Sequence, residues 1–156
     1  VATQTGVNPL RATLTIWGVV NEVNLLQAAG FRSRLRSRSL AVNHLLGYVI
    51  IALTIPAGVA LVAFWRQGSD WRQWIGGLVF IAFIVLMICV DYLWPVEFRS
   101  PVHVSILAPY LALFFGAILL MGIPMFRLNR GLWLVTVATT VLLLISMGLA
   151  MRKGVG

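Results

Sequence analysis

LLGYVIIALTIPAGVALVAFW, residues 45–65, decides the class of fold. Its 21 residues include no Asp, Glu, Lys, Arg or His. At 1.5 Å per residue, a helix of that length spans about 30 Å, the thickness of a bilayer's hydrocarbon core. Hydrocarbon offers the backbone no water to bond, so such a run crosses as a helix. Length carries this conclusion, because an all-apolar run has no periodicity to read. Three similar runs follow: WIGGLVFIAFIVLMICV from Trp74, continuing toward Trp94, then Val104 to Phe126, then Gly131 to Met151. The connections GSDWRQ and RLNR are short, which forces neighbouring spans to be antiparallel. The predicted fold is an all-α integral membrane protein, an up-down-up-down bundle of four transmembrane helices at about 45–65, 74–94, 104–126 and 131–151. Residues 1–39 form an N-terminal segment ahead of that bundle.

Composition agrees. Apolar residues make up 60% of the chain and charged residues 10%, with a mean hydropathy of +0.96, whereas soluble domains are about a quarter charged. Trp65, Trp71, Trp74, Trp94 and Trp133 sit at or near span boundaries, where an amphipathic ring prefers the headgroup level. Pro56 and Pro109 fall inside spans and are expected to kink them. The net charge of +8 lies in loops and ends, so lipid headgroups account for it and nucleic acid is not an expected partner. Cys89, the one cysteine, lies in an apolar run and reads as core.

The N-terminal segment allows two placements. In LTIWGVVNEVNLLQAAG, residues 14–30, the residues Ile16, Val19, Val20, Val23 and Leu26 share one side of a helical wheel, and Asn21, Glu22, Asn24 and Gln27 interrupt the rest. Such a helix either lies in the membrane interface or forms a fifth span whose polar side faces protein. Arg32, Arg34, Arg36 and Arg38 follow and read as a lipid or topology anchor held in the cytoplasm. With four spans they share a side with Arg11, Arg99, Arg152 and Lys153, against Arg66, Arg72, Arg127 and Arg130 opposite. That bias predicts a cytoplasmic C-terminus. A fifth span would move only Arg11 across.

The scarce polar groups gather in VDYLWPVEFRSPVHV, residues 90–104, which places Asp91, Glu97, Arg99 and His103 between the second and third spans. His44 opens the first span from the same side, so the topology adds it to this cytoplasmic cluster. Asp91 follows seventeen apolar residues. A carboxylate about one turn inside the interface needs a partner, and Arg99 and His103 are the nearest candidates. His44 and His103 each begin a span on one face, so paired imidazoles could ligate a haem b iron or chlorophyll-type pigment. The run HLLGY, residues 44–48, resembles a span start of haem-binding membrane cytochromes over those five residues, which implies the same role for His44.

Other chemistries lack their parts. There is no CxxC, no phosphate-cradling glycine loop and no GxSxG elbow. Nothing in the spacing of Ser100, Ser105, His103 and Asp91 demands a hydrolase, and no metal site is expected. The expected function is a small non-catalytic accessory or anchoring subunit of a larger membrane complex, an energy-converting one if the histidines hold a cofactor. Its expected partners are the lipid bilayer and other membrane subunits or a second copy. The alternatives are an electron-transfer protein using His44 and His103, and a small-molecule or lipid carrier using the proline kinks.

Overall fold

The computed structural model describes residues 8–37, 41–94 and 103–154. Six α-helices account for nearly all of them: α1 (Pro9–Ser37), α2 (Ala41–Ala52), α3 (Thr54–Arg66), α4 (Trp71–Met87), α5 (Val104–Leu128) and α6 (Arg130–Arg152). A π-helical segment, Ile88–Leu93, extends α4. Four stretches are long and apolar enough to cross a membrane: Ala41–Arg66, Trp71–Leu93, Val104–Leu128 and Arg130–Arg152. Each lies within a few residues of the run that predicts it. They make this an integral membrane protein.

The first span is two helices because of Pro56. Proline brings no N–H to the ladder and its ring crowds the preceding turn. The helix breaks at Leu53, and beside the break the Thr54 hydroxyl donates to the Ile51 carbonyl at 2.5 Å. The turn after α3 follows from local chemistry. Gly68, at φ 61°, allows its own N–H to reach the Trp65 carbonyl while the Ser69 N–H reaches that of Phe64, both at 3.0 Å. Asp70 then caps α4 by accepting from the Arg72 N–H, and Asn129 caps α6 by accepting from the Leu132 N–H.

The N-terminal helix runs through the bundle rather than across one end of it. Trp17 Nε1 donates to the Leu132 carbonyl at 2.9 Å, Asn21 Nδ2 to Thr136 Oγ1 at 3.2 Å, and Asn24 Nδ2 to Thr139 and Thr140 Oγ1 at 3.1 and 3.0 Å. The partner number rises in step with the donor number, so α1 and α6 are parallel and in register over these residues. Helix α1 therefore lies alongside the apolar length of the fourth span. Arg11 and Arg32 leave twenty residues between them, the length a hydrocarbon core requires. Trp17, level with the start of α6, joins Trp133 at that end of the bundle.

This placement changes the closure of the bundle. Helix α1 packs against α6, α3, α2 and α5, while α4 packs against α5 and α3. The circuit therefore runs α1, α3, α4, α5, α6 and back to α1, with α1 between the first and last spans. Two of its polar residues, Asn21 and Asn24, face protein, as the second of the two sequence placements requires, while Glu22 is exposed. Asn21 and Asn24 are buried against the threonines of α6, and Ile16, Val19, Val20 and Val23 are buried in the apolar core.

Candidate functional site

At the end of the bundle where α1 finishes and α2 begins, α1, α2, α5 and the π-helical segment enclose a polar cavity of about 110 Å³. Gln27 and Arg34 line it from α1, Asn43 and His44 from α2, Asp91 and Tyr92 from the π-helical segment, and Tyr110 from α5. Ile50 and Met87 form an apolar floor. The volume holds several waters or one small polar group.

The π-helix is what aims its acidic residue. The Trp94 N–H bonds to the Cys89 carbonyl at 2.8 Å, five residues back, so the chain gains a residue per turn here and its side chains rotate relative to α4. Tyr110, buried two turns into α5, donates its hydroxyl to Asp91 Oδ2 at 3.2 Å. Its ring meets Phe83 edge-on, centroids 5.2 Å apart. The sequence points to Arg99 and His103 as partners of Asp91. The structure adds Tyr110 as a partner, because a span's second turn lies level with a carboxylate set inside the interface. Glu97, Arg99 and Arg38 lie outside the described residues.

His44 and His103 share this end of the bundle but not this cavity. His103 is exposed at the cap of α5 and is not among the lining residues. The His44 ring lies 5.9 Å from that of Tyr92, and its carbonyl accepts from the Tyr92 hydroxyl at 3.2 Å. Among the described residues, no three of His, Cys, Asp and Glu are grouped so as to hold a metal ion. Of the arginine run, Arg34 enters the site: Asn43, its amide nitrogen turned to the Gly30 carbonyl at 3.0 Å, accepts from Arg34 Nε at 2.6 Å. Arg32 and Arg36 are exposed.

Gly47 is the hinge of this arrangement. The Tyr92 hydroxyl passes directly over its α-carbon, and an added Cβ would overlap that oxygen. Tyr92→Phe removes the bond to His44 and nothing else, with an expected loss of about 0.5–1.5 kcal/mol. Gly47→Ala should cost at least as much alone and markedly less in a Tyr92→Phe background, since the clashing oxygen is then absent. A double-mutant cycle by denaturant titration in micelles checks this. Additive costs would mean that Tyr92 does not lie over Gly47.

A second polar feature lies outside the cavity, on the outer face of α1. The register between α1 and α6 sets Glu22 level with Val137, seven residues or about 10 Å in from the start of α6. Glu22 is exposed. Exposed residues at nearby levels are apolar: Leu25 on its own helix, Val137 and Val141 on α6. No described residue bonds its carboxylate. The sequence contains this residue plainly, but only the register of α1 gives it a depth. No family model, curated protein or solved structure matches the chain.

Proposed function

We propose that this protein is a non-catalytic subunit of a larger membrane assembly, oriented with its arginine-rich end and its C-terminus in the cytoplasm. Glu22 is the observation that carries the reading. A charged side chain well inside the bilayer costs about 2.5–3.5 kcal/mol on insertion scales, and such groups ordinarily face protein or a water-filled cavity. Among the described residues, Glu22 faces neither. A neighbouring subunit over α1 supplies what is missing.

The internal polar groups support the same reading. The asparagine–threonine seam, the Tyr110–Asp91 bond and the Tyr92–His44 bond each tie one helix to another. They build a scaffold. The orientation rests on charge: with α1 spanning, Arg32, Arg34, Arg36, Arg38, Arg99, Arg152 and Lys153 share one side, against Arg11, Arg66, Arg72, Arg127 and Arg130. Seven against five keeps the excess at the C-terminal end, where the positive-inside rule puts the cytoplasm.

Extraction of the tagged chain from its native membrane in mild detergent tests this. The expected result is a particle well above 17.2 kDa plus its detergent, with another subunit in constant ratio across the gel-filtration peak. A monomer that moves solute across liposomes by itself would refute it.

A further inference from the structure

We infer that the Glu22 face of α1 docks a transmembrane helix of another protein that carries a lysine or arginine at matching depth. This rests on the subunit reading above and specifies the partner's chemistry. The face is a strip along one side of α1. Leu14, Glu22, Leu25 and Ala29 are exposed along it, and an added Cβ on Gly18, one turn from Glu22, would meet nothing within 4 Å. The strip is apolar except at Glu22, and a helix facing lipid on all sides gains nothing from a carboxylate there. A helix-borne cation opposite it neutralises the charge, and the low dielectric strengthens that attraction.

Charge complementarity excludes a second copy as the occupant. The ten basic residues among the described residues all lie at or just beyond helix ends, none at the depth of Glu22. Two copies packed through this strip in the same orientation set Glu22 against Glu22, two like charges in hydrocarbon. The occupant therefore brings a cation that this chain does not have. Lipid does not supply one either, because headgroup amines stay at the surface, about 10 Å away along the helix axis.

The test reconstitutes the whole purified protein in phosphatidylcholine liposomes with synthetic polyleucine helices of bilayer length, association being read by energy transfer between fluorophores. One peptide carries a single lysine seven residues from its end, one carries leucine there, and one carries the lysine at its terminal residue, level with the headgroups. The first should associate at least tenfold more tightly than the other two, and Glu22→Leu should abolish the difference. Because Glu22 lies on the surface, Glu22→Leu should leave the fold intact, which an unchanged denaturant midpoint confirms. Equal association of the three peptides would overturn the assignment. So would energy transfer between copies of the protein that Glu22→Leu removes, which would make the face a self-interface. If a stoichiometric subunit co-purifies from native membranes and stays bound to the Glu22→Leu protein, the subunit reading stands and this docking face is wrong.

Discussion

Replacing Gly76 with alanine should destabilise the bundle by about 1–3 kcal/mol, the range for forcing a methyl group into a packed interior. At this residue α4 packs directly against the backbone of α5. A Cβ there would lie 2.6 Å from Met121 N and 2.7 Å from Leu120 C, both backbone atoms. Side chains can rotate away from an intruder; a helix backbone can only translate, taking its neighbours with it. Phe83 would move too, and with it the contacts to Tyr110 and Phe114 that position the hydroxyl bound to Asp91. Alanine's better helix propensity, worth about 1 kcal/mol, offsets only part of this. Gly58→Ala is the matched control, because a Cβ at Gly58 meets nothing within 4 Å. It should be neutral or slightly stabilising. Denaturant titration of both variants in mixed micelles checks the contrast. Equal effects would mean that α4 and α5 are not in backbone contact.

Replacing Asn21 and Asn24 together with alanine should cost about 2 kcal/mol and release α1 selectively. Side-chain hydrogen bonds between helices in lipid average about 0.6 kcal/mol and reach about 1.7. Here the two asparagines make several bonds to Thr136, Thr139 and Thr140, including a 2.8 Å bond from Thr139 Oγ1 to Asn21 Oδ1. Asn24 is fully buried, and its Oδ1 has no hydrogen-bond partner among the described residues. That unbonded oxygen lowers the cost of removing Asn24 alone, so the single variant should be milder than Asn21→Ala. A cysteine at Val20, which is 1% exposed, provides the local readout. It should resist alkylation in the parent and react in the double variant while the α4–α5 pair keeps its stability. Loss of the whole fold at one midpoint would instead make α1 part of a single cooperative unit.

The apolar spans were legible because one physical quantity, length without charge, determines them. The placement of α1 was not, because its amphipathic pattern has two solutions. An exposed polar face suits the interface, and a polar face against a polar neighbour suits the interior. What separates them lies in a different part of the chain. Thr136, Thr139 and Thr140 recur at helical spacing in α6, opposite Asn21 and Asn24 at the same spacing. Neither set identifies the other without a register. The twenty residues between Arg11 and Arg32 were the readable clue.

The cluster at the arginine-rich end was legible in its location and less so in its bonds. Topology alone brings Asp91 and His44 to one end, and the structure lines one cavity with both. The bond from Tyr110 to Asp91 was not legible because the π-helical segment changes which way residue 91 points, and nothing in ICVDYL marks a π turn. Gly47 and Gly76 were overlooked for a related reason. A glycine in a span does not by itself mark a close approach: a Cβ at Gly116 would come no closer than 3.8 Å to Val79. The tight approach occurs at Gly76, where the neighbouring backbone rather than the local pattern decides.

The depth of Glu22, and with it the proposed docking face, depends on α1 crossing the membrane parallel to α6. Single cysteines at Asn8 and Lys153, in a chain whose Cys89 is replaced by alanine, test this in sealed vesicles of known orientation. With a membrane-impermeant maleimide, the two sites should label from opposite sides, Lys153→Cys from the cytoplasmic one. Labelling of both from the same side would place α1 outside the membrane and contradict the account.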